Sequence, residues 1–147
     1  TSYTETPQDH FNMTMKEGGS SIANLKECSL TFNNNMDTSQ YVIGSAGQVG
    51  SMPSGIASVT GSITALFEND VLLTKAENHT ESSLDLIWTS SSYSLTLHIP
   101  ELVYEPASPT VSGPAGVVAT LNFQGYYAND GDATILKATL VNTTADY

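Results

Sequence analysis

Hydrophobic and polar positions alternate along most of this chain. From Val117 the odd positions read Val117, Ala119, Leu121, Phe123 and Gly125, and the even positions read Val118, Thr120, Asn122, Gln124 and Tyr126. A period of two with one apolar face is the pattern of a half-buried antiparallel strand. The same period runs through Phe11, Met13 and Met15, through Cys28, Leu30 and Phe32 within 22–33, and through Val59, Gly61, Ile63, Ala65 and Phe67 within 56–67. It returns in Leu84, Leu86 and Trp88, and in Tyr93, Leu95, Leu97 and Ile99. A last strand is expected from Thr134 to Val141. The strands at 11–16 and 22–33 flank Glu17-Gly18-Gly19-Ser20 and are placed to form a hairpin. The strands at 82–89 and 93–99 form the clearest hairpin, turning about Ser90, Ser91 and Ser92. Pro100 lacks an N–H, so it is expected to close the second of these strands or shift it to an edge.

Only one stretch has helical spacing. Leu72, Leu73 and Ala76 share a face within 71–77, and Asn69 or Asp70 supplies a cap. The fold class expected is mainly β: an antiparallel β-sandwich or small barrel of seven to eight strands, with one short α-helix packed on one side and a long loop. The expected organisation is a polar arm at 1–8, a single β domain at 9–142 and a short tail at 143–147. The long loop spans 33–55, with four Gly, one Pro and no sustained period. Loops of this length are usually functional or disordered. Tyr41, Val42, Ile43 and Met52 argue for packing against something, another chain included, because solvent linkers seldom carry such residues. Gly113, Pro114 and Gly116 belong to a rigid turn that leads into the strand at 117.

Composition narrows the functional classes. The 147 residues suit one domain. Four Lys, no Arg and fifteen acids give a formal charge of -11. Gripping nucleic acid requires clustered Lys and Arg, so a DNA- or RNA-binding role is excluded on charge. No apolar run approaches the ~20 residues of a membrane helix, and no basic-apolar leader opens the chain. Thr1 stands where an initiator Met would, which reads as a processing site or an internal boundary of a longer protein. The single cysteine, Cys28, closes no internal disulfide and alternates in phase with Leu30 and Phe32, as a small buried apolar residue does.

No catalytic constellation emerges. His10, His79 and His98 belong to no metal-ligand spacing. Asp130-Gly131-Asp132 has a faint calcium-site character, but with Asn129 it is first of all hairpin-turn chemistry. Gly113-Pro114-Ala115-Gly116 lacks the Lys and the following helix of a phosphate loop. N-x-T triplets at Asn12, Asn78 and Asn142 are ascribed to a composition rich in Asn and Thr. No cofactor, no metal and no enzymatic activity are expected. An assembly or binding role is.

Several segments, taken in order, resemble the tail tube proteins (major tail proteins) of long-tailed bacteriophages and related prophages. Val59-Thr60-Gly61-Ser62-Ile63-Thr64-Ala65-Leu66-Phe67-Glu68, with the helix after it, resembles the family's strand and helix. Tyr93-Ser94-Leu95-Thr96-Leu97-His98-Ile99-Pro100 is similar to its hairpin strand. Val111-Ser112-Gly113-Pro114-Ala115-Gly116-Val117-Val118, leading to Phe123-Gln124-Gly125, resembles its turn and following strand, with Ala115 where a second Gly is common. Leu136 to Asn142 resembles the closing strand. The resemblance covers 11–142 and is to the C-terminal part of longer tube proteins.

The resemblance implies a structural protein of the virion tail, made in the host bacterial cytoplasm. It implies self-assembly into rings, hexameric as a rule, that stack into a tube alongside other tail proteins. DNA passes through without specific binding. Tyr41, Val42, Ile43 and Met52 become candidate subunit-interface residues, and Thr120, Asn122 and Gln124 candidates for the lumen or barrel face. The alternative is a monomeric β-sandwich adhesion or carbohydrate-binding module on a virion or cell surface.

Overall fold

A computed structural model describes residues 12–22, 24–37, 39–41, 43, 53–66, 71–106, 110–111, 117–129 and 131–142. The arm at 1–8, the tail at 143–147 and the turn residues Gly113, Pro114 and Gly116 lie outside them. The elements are β1 (Met13–Glu17), β2 (Ser20–Ser21), β3 (Leu25–Asn33), β4 (Ser58–Leu66), α1 (Val71–Glu77), β5 (Ser82–Ser90), β6 (Tyr93–Tyr104), β7 (Thr110–Val111), β8 (Val117–Tyr126) and β9 (Lys137–Val141). All strand pairs are antiparallel. The mainly β class with a single short helix is therefore as the alternation requires. The helix and the strand at 117–126 fall where the two periods place them.

The strands form one sheet in the order β2-β1-β5-β6-β8-β4-β3, with β7 on β8 and β9 on β6. It does not close into a barrel, because β2 and β3 end the path. The hairpin expected between 11–16 and 22–33 does not form. Gly18 and Gly19 both have positive φ and turn β1 tightly onto β2, pairing Glu17 with Ser20. The strand beyond, β3, pairs instead with β4. β1 joins the sheet through β5.

Pro100 does not end its strand. β6 runs on to Tyr104 with β5 along one edge, from Ser90↔Tyr93 to Ser82↔Leu102. Its other edge changes partner. Ser94 to His98 pair with β9, whereas Glu101 to Tyr104 pair with β8. Pro100 falls between the two sets, where the β5 register is also irregular between Ser82 and Leu84. Pro100 and Glu101 there oppose Ser83 alone, so the missing N–H sits at a bulge, a place where a sheet tolerates proline.

The core lies under this partner change. Ile99, Leu102 and Tyr104 of β6 are fully buried with Leu84 and Leu86 of β5, Val59 and Ile63 of β4, Leu121 and Phe123 of β8, Met15 of β1 and Ala76 of α1. Each large aliphatic among them contributes about 1.5–3 kcal/mol by leaving water. Tyr104 packs edge-on against Phe123, with ring centroids 6.4 Å apart. Its hydroxyl is buried without a hydrogen-bond partner among the described residues, and burial raises its pKa. The helix is tied to the sheet by charge as well as by Ala76. Lys75 Nζ donates to Glu17 Oε1 at 2.6 Å, and the Ser82 hydroxyl donates to the same oxygen. Trp88 and Cys28 pack half-buried against the core, as their phase indicates. Burial pushes the Cys28 thiol up to about 11, away from thiolate reactivity.

Gly61 sets how closely β3, β4 and β8 approach. A Cβ there would lie 2.1 Å from the Ser29 carbonyl oxygen and 2.5 Å from Phe123 Cζ. Gly61→Ala is expected to lower unfolding free energy by about 1–3 kcal/mol through overpacking. Gly131→Ala, with nothing within 4 Å of the new Cβ, is the control and should change little. Urea unfolding of both variants is the check, and equal stabilities would contradict the close approach at Gly61.

Candidate functional site

The face of β3, β4 and β8 turned away from the core is built from short polar side chains in cross-strand rungs. The first rung is Glu27–Thr64–Thr120, the second Ser29–Ser62–Asn122, and the third Thr31–Thr60–Gln124, extended by Val103 of β6. The register follows from the alternation itself. Once Ile63, Leu121 and Phe123 take the core side, every second residue must face outward. Thr120, Asn122 and Gln124, the three candidates for a lumen face, are thus together on one exposed surface.

The rungs are linked within the sheet. Thr64 Oγ1 and Thr120 Oγ1 lie 3.0 Å apart, and Ser29 Oγ and Ser62 Oγ 2.9 Å apart. The Ser62 backbone N–H also donates to Ser29 Oγ at 3.1 Å. Beyond the end of β6, the Glu105 N–H donates to the Asn122 carbonyl at 2.9 Å. Asn122 Nδ2 returns a hydrogen bond to Glu105 Oε2 at 3.2 Å. Glu101 is opposite Tyr126, in phase with Gln124 and Asn122 on β8. The carboxylates in register with these rungs are Glu27, Glu101 and Glu105; the rungs themselves contain no lysine, and the exposed Lys26 occupies the bulge beside Glu27. Chemically it is a hydrogen-bonding surface with negative potential.

The β3–β4 hairpin continues past Asn33↔Ser58 as the stem of the long loop. Met36 bridges Ser54, the Asp37 N–H donates to the Pro53 carbonyl at 3.0 Å, and the Gly55 N–H donates to the Asn35 carbonyl at 3.0 Å. Asn35 turns the stem with φ 47 and anchors it through Nδ2 to the Ile56 carbonyl at 2.7 Å. The Asp37 carboxylate accepts from the Ser39 N–H, the Ser39 hydroxyl and Gln40 Nε2. Tyr41 is 68% exposed and Ile43 fully so, and Met36 and Ile56 of the stem are exposed as well. Val42 and Met52 lie outside the described residues. Tyr41 and Ile43 sit at the far end of the hairpin that carries the rungs.

A second polar cluster lies on the other half of the sheet. His98 Nδ1 is 2.5 Å from Asp85 Oδ1, its rung partner on β5, and Nε2 is 3.6 Å from Asp132 Oδ2. Lys137 Nζ, at the start of β9, is 2.5 Å from Asp132 Oδ1. That hydrogen bond holds the Asp132 carboxyl below its ordinary pKa. The cluster fastens β9 and the segment before it to the β5–β6 hairpin. The sequence reading missed it, although pairing 82–89 with 93–99 would have set Asp85 opposite His98. Among the described residues, no group of three or more His, Cys, Asp or Glu is placed to hold a metal ion.

Comparison with known proteins identifies a relationship. The family model described as phage tail tube protein matches residues 1–125. No curated protein sequence matches. Among solved structures, a chain of the virion of a native gene transfer agent particle is similar, with TM-score 0.59 and 16% identity over 90% of this chain and 99% of that one. A chain from the tail of an empty gene transfer agent particle, refined helically with C6 symmetry, has TM-score 0.64 and 12% identity over the same shares.

The Asp37 turn gives a pH prediction. Its three hydrogen bonds, led by the Ser39 hydroxyl, lower the carboxyl pKa from 3.8 to about 2. A depressed carboxyl stabilises the turn above the ordinary carboxylate pKa, and that contribution is lost as pH falls through the folded value. Carbon NMR titration of the Asp37 carboxyl should give a midpoint near 2. A midpoint near 3.8 would show that these hydrogen bonds do not persist in solution.

Proposed function

This chain belongs to the phage tail tube protein family and is a structural subunit of a tail tube, and from that premise we propose how it builds one. Subunits join side by side into rings, six to a ring, and the rings stack into a conduit for DNA in company with other tail proteins. The chain is made in the host bacterial cytoplasm and works in the virion tail as a scaffold, not as a catalyst.

The observation that carries this reading is the polar face of β3, β4 and β8. A conduit wall must be wetted by water and must not hold its cargo. Hydroxyl and amide rungs supply the first property. Glu27, Glu101 and Glu105, with no lysine in the rungs, supply the second by repelling phosphate. The open sheet supports ring formation too. β3 ends the strand path, and pairing that edge with a neighbour removes an exposed strand edge. The C6 symmetry of the similar tail supports six subunits. Tyr41, Val42, Ile43 and Met52 dock on an adjoining subunit or ring, which removes Tyr41 and Ile43 from water.

Two kinds of substitution test this. Asn122→Arg and Gln124→Arg place a cation on an exposed position, so the subunit should fold while assembly or DNA passage is hindered. Ile43→Asp should leave the isolated subunit's circular dichroism unchanged and suppress tubes in electron micrographs. Normal tubes and normal DNA delivery with all three variants would overturn the reading.

A further inference from the structure

We infer that the polar face is passivated toward phosphate by spending its own hydrogen-bond donors within the sheet, with Glu105 masking the amide of Asn122. The inference rests on that face being the conduit wall, and it adds a second cause of non-adhesion beside negative charge. Hydroxyl and amide groups are sequence-independent phosphate ligands, so a wall of Ser, Thr and Asn is not inert merely because it lacks lysine. A passing DNA backbone offers a dense row of strong acceptors. Every free donor is a point of friction.

The geometry removes one donor from each facing pair. Two facing hydroxyls own two hydrogens, and one is consumed when they bond to each other. Thr64 with Thr120, at 3.0 Å, and Ser29 with Ser62, at 2.9 Å, are joined in this way across neighbouring strands. Asn122 is the strongest neutral donor of the second rung because its amide carries two N–H groups. One of them points at Glu105 Oε2 at 3.2 Å. The other is left beside a carboxylate, where a phosphate would meet like charge. Glu105 is held in that position by its own backbone, whose N–H donates to the Asn122 carbonyl at 2.9 Å. The carboxylate and the amide it masks are thus one unit, fixed at both ends. The third rung is different. Among the described residues, no side-chain hydrogen bond joins Thr31, Thr60 and Gln124, and the rung carries no charge. It therefore keeps more spare donors than either of the other two rungs.

Charge and donor masking separate experimentally. Glu105→Ala removes one negative charge and unmasks the amide. The double variant Glu105→Ala, Asn122→Ala has the same charge but no amide. Both positions are exposed, so the fold should survive, and thermal melts verify it. The probe is a fluorescent duplex DNA oligonucleotide at low ionic strength, read by anisotropy on the full-length subunit and on assembled tubes. Masking predicts that the single variant binds on the order of tenfold more tightly than the double, one charge-assisted hydrogen bond's worth. Wild type should be the weakest of the three. Equal binding by the two variants would leave charge alone as the cause and overturn the inference, as would wild type binding as tightly as Glu105→Ala. The outcome is independent of the tube reading. That reading fails if micrographs of wild type show no rings, whereas the single-against-double comparison is read on the subunit in either case.

Discussion

Everything in this fold depends on β6 serving two sets of partners. A strand has two edges, and β6 gives one of them to β5 along most of its length. It divides the other between β9 and β8, with Pro100 at the division. The division brings Ile99, Leu102 and Tyr104 under both halves of the sheet, and each is fully buried. Gly125 marks how tight the join is: a Cβ there would stand 3.1 Å from Ile99 Cγ2 and 3.2 Å from Val59 Cβ. Packing of this density tolerates few added atoms. The polar face is a by-product of the same constraint, because fixing the inward residues of β4 and β8 leaves Thr, Ser, Asn and Gln on the outside.

The two faces of that sheet therefore have separate duties. The inner face supplies the stability of the subunit, and its apolar side chains are committed. The outer face is free of packing demands, so its residues are open to selection for what they present to solvent. Short side chains keep the surface level, and carboxylates at Glu27, Glu101 and Glu105 set its sign. The long loop divides in the same way. Its stem, from Asn35 to Ile56, is held by hydrogen bonds, whereas Tyr41 and Ile43 remain exposed in the subunit.

Much of this was legible in the chain. Period-two alternation located β4, β5 and β8 and assigned their faces, so Thr120, Asn122 and Gln124 could be grouped before any coordinates. The helix was found from three residues. What alternation cannot give is which strand lies beside which. It suggested a hairpin between β1 and β3, but pairing depends on long-range burial, and those strands lie far apart in the sheet. Pro100 misled for a related reason. Its missing N–H disfavours a ladder, yet a strand that is changing partners has a gap in the ladder to offer. The Asp85–His98–Asp132–Lys137 cluster and the masking of Asn122 by Glu105 are products of register, and register was not assigned between those segments.

The order of strands along the chain has a consequence for synthesis on the ribosome. β3 and β4 emerge early as a hairpin, but the other edge of β4 is covered by β8, the eighth of the nine strands among the described residues. β6 likewise waits for β8 and β9. The nascent chain therefore carries an unpaired β4 edge until Val117–Tyr126 has been made. The Thr120, Asn122 and Gln124 side of the rungs is therefore absent until β8 has been made. Completion of the outer polar face is thus coupled to completion of the core, because the same strand supplies Leu121 and Phe123 inward and Asn122 and Gln124 outward.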